Sequence, residues 1–153
     1  MIEAVIVHII KDDKILLHYK KRGHGAGYWN GIGGKVEQGE TPEECAVREA
    51  MEEMHAGIKN LKKLGILIFY DVYAEDWKVY VFRAEIEGEP KESEESKPKW
   101  FHINDIPYEQ MWEDDKYWMP LVINELKFNG EFWFSGKKML RFKLEAWTND
   151  EKI

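Results

Sequence analysis

The sequence predicts an α+β fold, an α/β/α sandwich in which two helices flank a mixed β-sheet. Three observations carry that expectation. Residues 2–10 are nearly continuous in apolar, β-branched residues, the pattern of a strand buried on both faces. Residues 41–54 begin with a full helix-start signal and continue with apolar residues at helical spacing. The segments 15–20, 64–73, 78–85, 131–135 and 139–147 read as further strands, interrupted by one other short helical stretch at 119–126.

Taken in order, the first run is broken only by Glu3 and His8, and His8 is expected to be a core or edge histidine. The run is too short to span a bilayer and has no basic leader or cleavage site, so a cytoplasmic protein is expected. Residues 11–14 (KDDK) make a turn into the second strand. Residues 20–31 (KKRGHGAGYWNG) are basic and glycine-rich, which suits a phosphate contact and a solvated basic turn about equally.

The helix has Thr41 as its cap, Pro42 at the first position and Glu44 closing a capping box. Ala46, Val47, Ala50, Met51 and Met54 gather on one face, expected to be the buried one. Glu49, Glu52 and Glu53 sit at i, i+3 and i+4 on the other, where they repel, with Arg48 as the one nearby cation in sequence. Alone, such a face is ordinary solvated acid. The order of parts changes the odds: a glycine loop, Glu40, a capped helix, Arg48-Glu49, then Glu52-Glu53. Hard divalent cations bind a few carboxylates plus substrate phosphates, so Mg²⁺, with Mn²⁺ as the alternative, is the expected cofactor.

Beyond the helix, residues 74–77 are a tight connection and 87–99 (EGEPKESEESKPK) a charged loop, before strand-like Trp100-Phe101. Residues 104–118 are irregular and carry Pro107, Trp112, Asp114, Asp115 and Trp118. Pro120 falls near the first turn of the second helix, and Asn129-Gly130 reads as a turn. A hairpin around Gly136-Lys137 closes the sheet. In its last strand Leu140, Phe142, Leu144 and Ala146 alternate with polar residues, so one face is expected to be buried. The polar tail 148–153 is expected to fray.

A chain of 153 residues fits one domain, 1–153, and 44% hydrophobic content excludes global disorder. A net charge of −7 argues against a nucleic-acid-binding surface, but not against a nucleotide whose phosphates a metal neutralises. The single cysteine, Cys45, permits no internal disulfide and suits a reducing compartment. No spare apolar helix calls for a partner, so a monomer is expected.

At the helix and its preceding loop the chain resembles the Nudix family, whose box runs G-x5-E-x7-R-E-U-x-E-E-x-G-U with U bulky and apolar. Gly34, Glu40, Arg48, Glu49, Glu52 and Glu53 all fall in place. Ala50 is small for its slot, and His55 stands where the last glycine belongs, so the helix is expected to end differently, near Gly57. The resemblance implies the Nudix fold, with Arg48, Glu49, Glu52 and Glu53 as the catalytic set. It implies metal held by Glu49, Glu52, Glu53 and the Gly34 carbonyl, and Glu53 as the base that orients water.

Three longer stretches, KKRGHGAGYWNGIGGKVEQGET, KPKWFHINDIPYEQMWEDDKYWMP and FNGEFWFSG, are similar to the MutT-type branch and, within it, the oxidised purine nucleoside triphosphatases of animals. That likeness implies hydrolysis of 8-oxo-dGTP and 2-hydroxy-dATP to monophosphate and diphosphate. Asn30, Asp114 and Asp115 would hydrogen-bond the purine, Trp112 stack on it, and Phe69 and Phe134 line the pocket. Glu95 would be a further metal-site or base carboxylate, and Lys20 would approach the phosphates or sugar. Independently, adjacent buried carboxylates cannot both ionise cheaply, so an Asp114/Asp115 pair would offer one donor and one acceptor. His24 replaces a bulky aromatic residue at the pocket rim, Val5 replaces a hydroxyl, and Asp71 and the short 74–77 connection alter another wall. A broader nucleotide pyrophosphohydrolase and a silent nucleotide sensor are the competing readings.

Overall fold

Strand pairing draws the apolar runs together as their patterns require. Ile2–Lys11 (β1) is central, with Ala4, Val5, Val7, His8, Ile9 and Ile10 all buried. It turns through Asp12 into Lys14–Lys20 (β2), antiparallel to it. Trp29–Asn30 (β3) pairs with β2, and Ile32–Lys35 (β4) pairs with β1. After the helix Pro42–Met54 (α1), Gly57–Asp71 (β5) runs antiparallel to Trp77–Glu87 (β6), which lies parallel to β1. Ser96–His102 (β7) pairs with β2. Then come the helix Asp115–Ile123 (α2), Lys127–Ser135 (β8) and Lys138–Trp147 (β9).

This computed structural model describes residues 1–148. Its strands form one mixed sheet in the order β3-β2-β1-β6-β5-β8-β9, with β4 on β1 and β7 on β2. The helix α1 covers one face over Val5, Val7, Leu16 and Phe82, and α2 covers the other over Ile15, Leu67, Phe128 and Phe132. The α/β/α layering and the mixed sheet are as the sequence predicts. No helix among the described residues is long and apolar enough to cross a membrane.

Several local expectations fail for tertiary reasons. The polar end of the 87–99 loop joins the sheet, because Ser96–Lys99 pair with Lys20–Leu17 of β2; Pro98 is tolerated in that short strand. Asn129-Gly130 is not a turn: both residues sit within β8, paired on one side with Ile66 and Leu67 and on the other with Glu145 and Leu144. Two flanking ladders outweigh one turn-forming dipeptide. The second helix starts at Asp115 rather than 119, so Pro120 lies inside it. In β9, Leu140 and Phe142 are exposed, because β9 is the sheet's last strand. Thr148 belongs to no element, and the rest of the tail lies outside the described residues.

The buried face of α1 also differs. Cys45, Ala46, Ala50, Glu53 and Met54 are inside, while Val47 and Met51 are about half exposed. The helix is turned toward its acids, and that turn brings Glu53 to the sheet.

Candidate active site

The capping box forms as its residues dictate. The Thr41 hydroxyl accepts from the Glu44 amide (3.1 Å), and the Glu44 carboxylate accepts from the Thr41 amide (2.9 Å). At the other end the expected shift toward Gly57 does not occur. His55 itself takes the left-handed conformation (φ 54°), its amide donating to the Met51 carbonyl. Histidine is among the residues that tolerate this region.

Arg48 organises the acids between these ends. Its Nε and Nη2 grip both oxygens of Glu40 (2.7 and 2.9 Å), and Nη2 also donates to the Lys35 carbonyl (3.1 Å). Its Nη1 reaches Glu49 (2.7 Å) and Glu52 (3.2 Å). One planar fork thus ties the glycine loop to the helix, the bidentate geometry that lysine lacks. The fork holds the Glu40 carboxyl down to about 2. It also relieves the carboxylate repulsion that the sequence alone assigns to a metal.

Glu53 is 5% exposed. Burial first, then the adjoining Glu49, push its carboxyl up to about 9, and burial raises Glu49 as well. The two carboxyls hydrogen-bond each other, so they share a proton at neutral pH. His18 approaches from β2, its Nε2 3.2 Å from Glu53 Oε2. That nitrogen's proton goes instead to the Gly31 carbonyl (3.0 Å), so Nδ1 accepts from the Ser96 hydroxyl (2.8 Å). Glu53 Oε2 is left with no hydrogen-bond partner among the described residues. A β-carbon on Gly34 would stand 2.2 Å from Glu49 Oε2, so only glycine lets that carboxylate lie against the loop backbone.

Among the described residues no three acidic, histidine or cysteine side chains stand as a finished metal cage; Glu52 is the outlier, more than half exposed on Arg48. The donor set nonetheless fits a hard divalent ion: oxygen ligands only, one of them a buried, unpartnered carboxylate oxygen. Glu95 lines the same cavity of about 520 Å³, and its carboxylate accepts from Arg22 (3.2 Å). Of the basic cluster, Lys20 lines the cavity, whereas Lys21 is taken by Glu92 and Ser93 and Arg22 by Glu94 and Glu95.

A second cavity of about 720 Å³ adjoins it across His18, Lys20 and Gly33–Lys35. Asp114 and Asp115 face it, 3% and 6% exposed. The Trp118 indole N–H donates to Asp114 (2.7 Å). Burial pushes Asp114 up to about 6 despite that bond, and burial plus Asp114 push Asp115 well above the carboxylate range. The pair therefore keeps a proton near neutrality, as adjacent buried acids must. Asn30 spends its side-chain N–H groups on the Tyr28 and Gly25 carbonyls. Phe69 stacks on Phe132 and packs against Phe134, which meets Trp112 edge to face.

The whole of residues 1–122 matches the NUDIX domain. The chain belongs to the Nudix family. Oxidized purine nucleoside triphosphate hydrolases of Danio rerio and Mus musculus are both 44% identical to it, over 137 and 131 residues, which is 88% and 84% of each pair of chains. Among solved structures, the MutT protein of Bacillus halodurans superposes with a TM-score of 0.84 at 27% identity, covering 95% of this chain and 98% of that one. The sandwich is the Nudix fold, and Nudix hydrolases generally use divalent metal ions.

The Nudix fold brings the sequence-singled residues into two adjoining groups. Gly34, Arg48, Glu49, Glu52, Glu53 and Glu95 line the acidic cavity, with Lys20 shared. Asn30, Phe69, Trp112, Asp114, Asp115 and Phe134 line the larger one, and so do the departures Val5, His24 and Asp71. Trp77 and His18 are among the wall residues that escape sequence reasoning. Trp77 reads as part of a connection but opens β6 and lines the cavity, and His18 reads as an ordinary strand residue. Only the strand register would have exposed them.

Proposed function

We propose that this Nudix protein hydrolyses oxidised purine nucleoside triphosphates, 8-oxo-dGTP and 2-hydroxy-dATP, to the monophosphate and diphosphate, as a cytoplasmic monomer that cleans the nucleotide pool. The observation that carries the reading is the buried, proton-sharing Asp114/Asp115 pair in a cavity that runs on to Glu49 and Glu53. The 44% identity to hydrolases of oxidised purine nucleoside triphosphates supports it.

In this reading the purine stacks on Trp112 between Phe69 and Phe134 and is read along its edge by Asn30, Asp114 and Asp115. One aspartate donates and the other accepts. Exchanging which of them holds the proton fits either a guanine-like or an adenine-like pattern. Lys20, shared by both cavities, meets the phosphates. When bound by Glu49, Glu52, Glu53 and the Gly34 carbonyl, with Glu95 at the rim, Mg²⁺ (or Mn²⁺) supplies Lewis acidity and neutralises phosphate charge. Arg48 keeps Glu49 and Glu52 in place. Glu53 orients a water toward the β-phosphorus and takes its proton on the carboxylate oxygen not bound to metal. The bond from the β-phosphorus to the oxygen it shares with the α-phosphorus breaks, that oxygen leaving on the nucleoside monophosphate and the water oxygen ending on the diphosphate.

A second reading keeps this chemistry with a wider substrate range, favoured by His24, Val5 and Asp71 on the cavity wall. The two separate in one experiment: diphosphate release with Mg²⁺ from 8-oxo-dGTP, 2-hydroxy-dATP and dGTP, with Glu53→Gln as the blank. A large preference for the oxidised bases, lost in the variant, supports the sanitising role. Equal rates discard it, and no release at high enzyme concentration discards the hydrolase for a nucleotide sensor.

A further inference from the structure

Three rings from three separate segments meet in the larger cavity. The His24 imidazole stacks on the Trp77 indole (centroids 5.5 Å apart, planes 18° apart) and on the Trp112 indole (5.1 Å, 18°). All three line the cavity that holds Asp114 and Asp115. Among the described residues, His24 is the one ring stacked in parallel on Trp112, whose other ring partners, Tyr28 and Phe134, meet it edge to face. Stacking surface facing a nucleotide cavity is thus already taken by a side chain of the protein itself.

That side chain sits exposed at the cavity rim, with solvent beside it. Gly23 and Gly25 on either side of it are both in the left-handed region (φ +82° and +85°), where glycine carries no steric penalty. The loop is closed at its base by backbone bonds between Lys20 and Gly27 and between Lys20 and Tyr28. Within it, bonds from the Ala26 amide to Gly23 and from Asn30 to Gly25 hold the backbone, so His24 leaves by rotation about its own side-chain torsions. Burial and the nearby Lys20 and Lys35 hold its pKa below the ordinary value, so the ring is neutral at pH 7 and moves without carrying a charge.

We propose that His24 is a resident ring, which occupies the Trp77/Trp112 stacking surface in the free protein and is replaced there by the incoming nucleobase. This rests on the reading above that the base stacks on Trp112. It makes His24 an intramolecular competitor that sets nucleotide affinity. A base finds the surface open only in the fraction of molecules whose imidazole has left, and apparent affinity is scaled by that fraction. Two aromatic stacks of ordinary strength leave roughly one molecule in ten open, so removing the ring should tighten binding about tenfold. The alternative, in which His24 is a fixed third wall that the base leans on, gives the opposite ranking.

The test is binding of 8-oxo-dGMP without metal, by calorimetry, to the full chain and to its His24→Ala, His24→Phe and Trp112→Ala variants. Kd should rise in the order His24→Ala, wild type, His24→Phe, because phenylalanine is a stronger resident. In turnover of 8-oxo-dGTP, His24→Ala should lower KM in step with Kd. Weaker binding by His24→Ala than by wild type, while Trp112→Ala also loses affinity, overturns the resident ring and leaves the base site standing. Unimpaired binding by Trp112→Ala overturns both. NMR of the wild-type protein gives an independent reading. The His24 ring protons should be shifted upfield by the indoles and move toward solvent-exposed values on saturation with 8-oxo-dGMP. Unmoved resonances at saturation overturn the proposal.

Discussion

His8→Leu should make the protein more stable, and increasingly so as the medium becomes acidic. His8 is completely buried on β1, its ring tilted against Trp118 (5.4 Å) and pressed on Gly31 so closely that a β-carbon there would stand 2.6 Å from Cε1. Among the described residues no group hydrogen-bonds either ring nitrogen. A buried polar atom without a partner costs about 1–3 kcal/mol, and leucine of similar volume carries none. At pH 7 we expect a gain of about 1–3 kcal/mol, or roughly 2–10 °C in Tm for a domain of this size. The pH dependence follows from burial, and secondarily from His18, which push the His8 pKa down to about 3 from 6.5. Below pH 6.5 the unfolded chain takes up a proton that the folded protein refuses, so stability is lost as pH falls, by about 1.4 kcal/mol per unit until pH 3. His8→Leu removes that loss. Its advantage over wild type should therefore widen by roughly 2–3 kcal/mol between pH 7 and pH 4.5. Urea unfolding followed by tryptophan fluorescence at the two pH values measures both parts. A variant less stable at pH 7, or a gap that stays constant with pH, would refute the reasoning.

Three further outcomes are expected. Gly34→Ala should raise the Mg²⁺ concentration for half-maximal activity about tenfold or more and also lower Tm, because the new methyl pushes the Glu49 carboxylate away from its partners Arg48 and Glu53; a metal titration beside a thermal melt decides it. Arg48→Lys should lose the fork on Glu40, Glu49 and Glu52, lowering stability by about 1–3 kcal/mol and activity by at least tenfold even at saturating metal; urea unfolding and steady-state rates check the two parts. Affinity for 8-oxo-dGMP should fall as pH rises far enough to strip the last proton from the Asp114/Asp115 pair, since both pKa values are raised and the donor is lost on the alkaline side. Asp115→Asn, whose amide keeps a donor at every pH, should flatten that limb and change the ratio of 2-hydroxy-dATP to 8-oxo-dGTP turnover.

What the sequence made legible was local. Thr41, Pro42 and Glu44 are helix-start chemistry read within four residues, and Glu40, Arg48, Glu49, Glu52 and Glu53 could be grouped by spacing, although the fork by which Arg48 ties Glu40, Glu49 and Glu52 together appears only in the structure. What it hid was set by distant partners. Val47 and Met51 satisfy the apolar period of α1 yet lie outside, because the sheet accepts Cys45 and Glu53 instead. A rule that sorts residues by polarity cannot foresee a buried glutamate, since its burial is tolerated only with Glu49 beside it sharing a proton. Ser96–Lys99 look like loop until β2 supplies the ladder, and Trp77 looks like a connection until His24 and Trp112 are found against it.

The same physics sets both ends of the site. Glu49/Glu53 lie on α1 and Asp114/Asp115 at the start of α2, on opposite faces of the sheet. They meet because the short strand β4 pairs with β1 and carries Gly33 and Gly34, which line both cavities. Each pair is forced by burial to keep a proton that an exposed pair would shed. On the proposed function, the retained proton at α2 is the hydrogen-bond donor offered to a base edge, and must stay. At α1, on the same proposal, it occupies the carboxylate that a cation needs bare, and must leave. Metal loading at neutral pH should therefore release protons, whereas base binding should release none. Calorimetry in two buffers of different ionisation enthalpy, with Mg²⁺ and with 8-oxo-dGMP in turn, distinguishes them, and proton release on base binding would show that the aspartates do not act as the donor–acceptor pair.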